Sequence, residues 1–313
     1  MKIVFLDDNS IGTDIDLSGF ESLGEVVRYG SSKPEEVPER VKDADVVIIK
    51  MEINERTIGT AEKLKLVCVT ATGTNNLDKE FLAKRNIAWR NVAGYSTECV
   101  AQHTFALLFY LLEKMPYYDN YVKSEKYVND AMFTHFANHF HELCGMTWGI
   151  IGLGAIGRRV ADLAKAFGCH VIYYSTSGNH TEDGYERVDF DTLLKTSDIV
   201  SVHAPLTEQT EQLMNAAAFS KMKNSAIFIN VGRGPIVVEA DLADALEQGE
   251  IAAAGLDVLS AEPMREDNPL RCIKDSEKLV ITPHIAWAAV ETRKRLMDII
   301  LQQVKELFEV KQK

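Results

Sequence analysis

The sequence predicts an α/β fold of two doubly wound, parallel-sheet domains. Three observations carry that expectation. Short apolar runs alternate with amphipathic stretches, which is a βαβ rhythm. The runs are apolar without strict alternation, as in strands covered on both faces. The rhythm starts afresh at TWGIIGLGAIG (147–157) after a long helical stretch, so two series are present. A length of 313 residues suits about two domains.

In the first series, MKIVFLD, ADVVIIK, LKLVCVTATG and IAWRNVAG read as strands buried on both faces, with PEEVPERVKDA and LDKEFLAKRN as helices between them. TECVAQHTFALLFYLLEKMPYYDNYVKS (97–124) reads as one long helix. Thr97 suits its N-cap, and its middle, Phe105 to Leu112, is apolar nearly all round, as in a helix buried between layers or domains. The second series supplies the strands WGIIGLG, HVIYYS, DIVSVHAPL, SAIFINVG, AAAGLDVL and LVITPHI, with helices such as GRRVADLAKAFG and EADLADALEQGE. ETRKRLMDIILQQVKELFEV closes the chain as an amphipathic helix with no strand left to serve, so it is expected to return to the first domain. The domains are expected at 1–97 plus 287–313 and at 98–286, the second inserted in the first.

Composition narrows the class of function. Hydrophobic residues make up 46%, charged residues 26%, and the net charge is −12. With no dense Lys/Arg run, nucleic acid is not an expected partner. The start, MKIVFLDDNS, reaches an acidic pair too early for a secretory signal. No apolar run approaches the roughly 18 residues of a membrane span. Charges of both signs on the terminal helix argue for packing and not for a membrane surface. The five cysteines (Cys68, Cys99, Cys144, Cys169, Cys272) are scattered and read as buried free thiols in a reducing cytoplasm.

Gly152-Leu-Gly154-Ala-Ile-Gly157 lies between a predicted strand and a predicted helix. Gly152 serves the tight turn, Gly154 lets the main chain approach a pyrophosphate, and Gly157 lets helix and strand pack closely. The helix, opened by Ala155 and Ile156, offers free N–H groups and a partial positive charge. This is a Rossmann-type dinucleotide site. About 20 residues further on, an Asp or Glu would grip the ribose 2′-hydroxyl. VIYYSTSGNH has Ser175 there, followed by Thr176 and Ser177. Hydroxyls accept a diol or a 2′-phosphate and repel neither. His180 and Arg187 are the cations within reach of a phosphate. The expected cofactor is NAD(H) or NADP(H) with relaxed preference.

Arg233 in INVGRGPIV, Glu262 in LSAEP and His284 in TPHIAW each follow a strand, on the edge where open parallel sheets bind ligands. Arg forks onto a carboxylate. His passes a proton near neutral pH, and a neighbouring Glu favours imidazolium. With a hydride from the dinucleotide, the set describes interconversion of a 2-oxo acid and a 2-hydroxy acid.

GLGAIG, HAPLT, NVGRGPIV, GLDV and TPHIAW, in this order and spacing, resemble the D-isomer-specific 2-hydroxyacid dehydrogenase family along essentially the whole chain. The resemblance implies a flavodoxin-like substrate domain beside the dinucleotide domain. It implies that Arg233 binds the substrate carboxylate, His284 is the acid/base and Glu262 orients it. It gives Asp257 to the nicotinamide carboxamide, His203 and Pro205 to the adenine side, and Val231 to the cofactor edge. TATGTNNLD is similar to a loop that holds the substrate carboxylate, which points to Thr72 and Gly73. NVAGYSTECVAQHTFALL resembles the glycerate dehydrogenase/hydroxypyruvate reductase branch, where Lys50, next to Met51, has a counterpart in the substrate site. The expected reaction is therefore hydride transfer between NAD(P)H and hydroxypyruvate or glyoxylate, or D-glycerate in reverse, by a cytoplasmic homodimer.

Other 2-oxo acids (pyruvate, branched or aromatic) are the nearest rivals. A phosphoglycerate dehydrogenase would carry a regulatory domain after the terminal helix, and a formate enzyme would have Gln in place of Glu262. A cofactor-sensing corepressor-like binding protein is the rival of another class. FTHFANHFHELC supplies His135, His139, His141 and Cys144, but a hydride carrier needs no metal and none is expected. The stretch reads as a variable loop near the subunit interface.

Overall fold

A computed structural model of the chain describes residues 1–178 and 182–309. His180, named above as a partner for a 2′-phosphate, lies outside the described residues. The chain divides into two compact units, Met1–Ser96 with the segment from Ala288, and Thr97–Trp287.

The smaller unit holds strands β1 (Lys2–Phe5), β2 (Glu25–Arg28), β3 (Val46–Ile49), β4 (Leu66–Val69) and β5 (Ala88–Arg90). All pair in parallel in the order β2-β1-β3-β4-β5, the flavodoxin-like arrangement. Short helices α1 (Ser18–Glu21), α2 (Val37–Val41), α3 (Glu55–Ile58) and α4 (Lys79–Lys84) connect them. The sequence reading omitted β2. Its EVVR is a half-exposed edge, with neither a continuous apolar run nor a clean alternation. It also expected IAWR to be covered on both faces. As β5 it is the other edge strand, with Trp89 half-buried and Arg90 exposed. α1 and α3 are single turns, too short for a helical period to register. The terminal helix Val290–Glu309 buries Leu296, Met297, Ile300 and Val304 along one stripe. It is tied in by Arg293 on Asp14 and by Arg295 Nη1 donating to Tyr95 O at 2.7 Å.

The larger unit holds β6 (Thr147–Ile151), β7 (His170–Tyr174), β8 (Glu186–Arg187), β9 (Ile199–Val202), β10 (Ile227–Asn230), β11 (Ala253–Leu256) and β12 (Leu279–Ile281). Its parallel order is β12-β11-β10-β9-β6-β7-β8. The first three strands run outward one way and the rest the other, the Rossmann order with one strand added. The two-residue edge strand β8 was not expected. Helices α5 (Thr97–Leu112), α6 (Met115–Lys123), α7 (Ala155–Ala166), α8 (Phe190–Thr196), α9 (Ala216–Phe219) and α10 (Glu239–Gln248) complete it.

Alternate strand residues feed two apolar layers. Ile151, Val200, Val202 and Phe228 pack with side chains of α8, α9 and α10. Trp148, Ile150, Tyr173 and Ile229 pack on the opposite face with α5 and α7. Gly255 lets α5 lie close on β11, since a Cβ there would come within 3.1 Å of Leu107 Cβ. The expected single helix at 97–124 is broken. α5 ends at Leu112, Lys114 takes φ 52°, and Pro116 opens α6. Proline has no N–H for a continuing helix and clashes with the preceding turn. Not all the thiols are buried as expected. Cys68 and Cys169 are, but Cys144 and Cys272 are exposed. Among the described residues, no helix is long and apolar enough to cross a membrane.

Candidate active site

Six strands of the larger sheet end in one row. Tyr174, Ile151, Val202, Asn230, Leu256 and Ile281 are successive register partners. The next residues along each strand are Ser175, Gly152, His203, Val231, Asp257 and Thr282. Five of these six are sequence-predicted cofactor residues. The sheet register therefore brings together positions scattered over more than a hundred residues of chain.

Two glycines of the turn are fixed by packing. Gly152 has φ 90°, and a Cβ on it would lie 2.8 Å from the Ala204 backbone. A Cβ on Gly157 would lie 2.3 Å from Gly152 O. Gly154 differs, because a Cβ there would meet nothing within 4 Å. It leaves open space over the first turn of α7, where Gly154 and Ala155 are exposed and no side chain among the described residues caps the helix. That cradle, at a helix N-terminus, fits a dinucleotide pyrophosphate.

After β7, Ser175 is buried, Thr176 half-buried and Ser177 exposed, with the two serine hydroxyl oxygens 3.4 Å apart. The hydroxyls are thus not equally presented. Gly178 N donates to Ser175 O, and Arg187 Nη2 donates to Gly178 O at 2.7 Å. A guanidinium from β8 therefore sits against this turn. After β9, His203 Nε2 is 2.9 Å from Ser201 Oγ, while its buried Nδ1 has no partner among the described residues. Burial pushes its pKa down to about 3, so the ring is neutral near pH 7. Pro205 next to it is exposed.

The loop after β10 is shaped by Asn230, whose fully buried side chain donates to Arg233 O at 3.0 Å and accepts from Gly232 N at 3.0 Å. Gly234 lets this loop press on the next, since a Cβ there would fall 1.9 Å from Leu259 C. The Arg233 guanidinium donates to Gly232 O, and no carboxylate among the described residues pairs with it. Glu262 Oε1 accepts from Leu259 N, and its Oε2 lies 2.7 Å from His284 Nδ1. A carboxylate only accepts, so Nδ1 donates and Nε2 is left for other work.

Asp257 is 2% exposed. Its carboxylate accepts from Thr282 Oγ1 at 2.6 Å, Ile285 N at 2.8 Å and Ala286 N at 2.8 Å. It organises the segment that carries His284. Asn230, Thr282 and His103 belong to this architecture and were not singled out from sequence. Only the final polar residue of β10 signals the first.

In the smaller unit, Lys50 and Met51 follow β3, and Thr72 and Gly73 follow β4, on the carboxyl edge of that sheet. Asp7 Oδ2 accepts from both Lys50 N and Met51 N, and Thr72 Oγ1 donates to Val92 O. In the loop after α6, His135 Nε2 is 2.8 Å from the hydroxyl of Tyr117 on that helix, and the ring stacks on Tyr121 with centroids 3.8 Å apart. Among the described residues, no group of three or more His, Cys, Asp or Glu is gathered as for a metal.

A Rossmann sheet with a pyrophosphate cradle, an arginine that has no carboxylate partner among the described residues and a carboxylate-held histidine on one edge defines a nicotinamide-dependent dehydrogenase. Residues 105–286 match the family described as D-isomer specific 2-hydroxyacid dehydrogenase, NAD binding domain. The chain is 37% identical over 315 residues to a hydroxypyruvate reductase of Blautia hydrogenotrophica, covering 98% of this chain and 97% of that one. It is 36% identical to a glycerate dehydrogenase of Methylorubrum extorquens, covering 97% and 95%. Among solved structures, it aligns with an NADPH-dependent glyoxylate/hydroxypyruvate reductase from Sinorhizobium meliloti in complex with NADP and malonate. That match has a TM-score of 0.82, 26% identity, and coverage of 98% and 93%. The chain belongs to the D-isomer specific 2-hydroxyacid dehydrogenase family. It is an NAD(P)-dependent oxidoreductase acting on 2-oxo and 2-hydroxy acids.

Proposed function

We propose that the larger unit binds the dinucleotide and carries out the chemistry, while loops of the smaller unit select the substrate. The observation that carries this reading is the row of strand ends, with Arg233, Glu262 and His284 on the loops that leave it. Gly152, Gly154, Ala155, Ile156 and Gly157 hold the pyrophosphate. Ser175, Thr176 and Ser177 meet the adenosine ribose, with His203, Pro205 and Val231 along the same edge, and Asp257 is assigned to the nicotinamide carboxamide. When bound, the nicotinamide supplies or takes the hydride. Arg233 forks onto the substrate carboxylate and so aims the C2 carbonyl. His284 gives its proton to the C2 oxygen during reduction and recovers it in reverse, and Glu262 orients the ring through Nδ1. The family resemblance assigns Lys50, Met51, Thr72 and Gly73 to substrate binding.

Relatives named hydroxypyruvate reductase and glycerate dehydrogenase support hydroxypyruvate, glyoxylate and D-glycerate as the substrates. Arg187 at the 175–178 turn supports tolerance of NADPH. Turnover of hydroxypyruvate, glyoxylate, pyruvate and phenylpyruvate with NADH and with NADPH tests both assignments. The two small hydroxylated or aldehyde acids should lead, and kcat/KM for the two cofactors should lie within about 10³-fold, some 4 kcal/mol. A larger preference for NADH, or a lead for phenylpyruvate, defeats the respective assignment.

We also infer a homodimer. Phe133 is 88% exposed, Phe136 75% and Val128 75%, all in the stretch after α6, and monomers rarely leave such a patch in water. A second copy is the occupant we assign to it. Sedimentation should give twice the chain mass, and F133S/F136S should reduce that to the monomer. The exposed free thiols Cys144 and Cys272 support a reducing, cytoplasmic setting.

A further inference from the structure

The segment that presents His284 is held from two directions. Its own backbone is bonded to Asp257, with Ile285 N and Ala286 N on the carboxylate and His284 N donating to Asp257 O at 2.8 Å. His284 itself has φ 54°, a left-handed backbone that residues other than glycine seldom adopt. A conformation of that kind persists only where the surroundings over-determine it. The second direction is helix α5. His103 Nε2 lies 2.9 Å from Thr282 Oγ1 and 3.5 Å from Asp257 Oδ1.

Counting protons fixes the direction of this chain. Thr282 has one hydroxyl hydrogen, and Oγ1 lies 2.6 Å from a carboxylate oxygen that can only accept. The hydrogen therefore goes to Asp257. The hydroxyl oxygen is left to accept, so Nε2 of His103 must carry a hydrogen. Thr282 has one competing acceptor, Leu256 O at 3.4 Å. Without the imidazole donor, only the bond to Asp257 opposes rotation of the hydroxyl toward that carbonyl, and the hold on the Asp257 carboxylate is loosened.

We propose that His103 is a positioning residue for the hydride-transfer step. Through Thr282 it holds the Asp257 carboxylate in the orientation that fixes residues 284–286. The inference rests on the reading of His284 as acid/base. It assigns α5 a part in the chemistry beyond that of a buried packing helix.

The test is steady-state kinetics on the full chain well below its melting temperature. The variants are His103→Leu, His103→Gln, Thr282→Val, the Leu/Val double variant, and His284→Ala as the control. Gln places an amide N–H near the position of Nε2, whereas Leu fills space without a donor. His103→Leu should lower kcat about tenfold, the effect of roughly one lost hydrogen bond, with KM for the 2-oxo acid changed less than about threefold. His103→Gln should recover most of that loss. Thr282→Val should match His103→Leu, and the double variant should be no worse than the poorer single one, as for two members of one chain. A purely structural histidine would instead lower the melting temperature and leave kcat alone. Full kcat in His103→Leu, no rescue by Gln, or losses that multiply in the double variant would each overturn the proposal. If His284→Ala retains kcat within about tenfold, the acid/base reading fails and takes this inference with it. If His284→Ala is inactive while His103→Leu is fully active, only this inference falls.

Discussion

The two sheets follow the same parallel rule but spend their strand-end polar groups differently. In the smaller unit those groups serve the main chain. Asp7 accepts from Lys50 N and Met51 N, Asn76 donates to Lys50 O and Met51 O, and Thr70 donates to Ile49 O. In the larger unit such groups serve the main chain too, but some also serve one another or stand ready. Glu262 holds His284, Asp257 is buried among donors, and Arg233 has no carboxylate among the described residues. Both edges fix loop shape, and the larger one also seats a histidine on a carboxylate. The contrast implies that damage to the larger edge stops the reaction, while damage to the smaller one redirects it.

The sharpest way to break that contrast is His284→Ala. It should lower kcat by a factor on the order of 10²–10⁴, with cofactor affinity nearly unchanged because the glycine cradle is intact. Fluorescence titration of NAD(P)H beside kcat measurement checks both halves. Glu262→Gln should cost less. A glutamine oxygen still accepts from Nδ1, and exchanging a bond to a carboxylate for one to a neutral amide costs about tenfold in kcat. If Glu262→Gln were as severe as His284→Ala, the glutamate would have a direct part in the chemistry and not an orienting one.

A smaller change is expected from the other edge. Lys50→Ala should raise KM for the anionic 2-oxo acid up to about tenfold, the value of one charge-assisted contact, and alter the ranking within a substrate panel. Cofactor KM and kcat with the best remaining acid should stay near wild type. A collapse of kcat across the whole panel would show that Lys50 acts on the reaction itself, and the division of labour between the sheets would fail.

The same contrast explains what the sequence revealed. Gly152, Arg233, Glu262 and His284 were legible because each follows a strong apolar run and carries a residue type with distinctive chemistry. The smaller unit was less legible. Its edge strand EVVR is half-exposed, and its strand-end loops are held through backbone atoms that leave little side-chain signature. The break at Lys114 was written in Pro116, but the apolar spacing on either side masked it. His103 and Asn230 were passed over for a general reason. A polar residue in an apolar helix or at a strand end looks like any satisfied core group until the fold supplies its partner.

The last effect expected is on stability and not on turnover, and it asks whether the larger edge is costly to build. His203 follows the row at β9, with one ring nitrogen on Ser201 and the other buried without a partner among the described residues. Burial pushes its pKa down to about 3, below the roughly 6.5 of an unfolded histidine. Between those values the unfolded chain binds a proton that the folded chain refuses. The neutral ring therefore costs the fold nothing above about pH 6.5, and stability is lost progressively as pH falls from there toward 3. At pH 4.5 this single group should account for about 3 kcal/mol of destabilisation relative to pH 7.5. His203→Asn removes the titration. In urea unfolding, wild type and variant should therefore differ by about 3 kcal/mol less at pH 4.5 than at pH 7.5, whatever the variant loses in packing. An unchanged difference would mean that the ring is protonated in the folded protein.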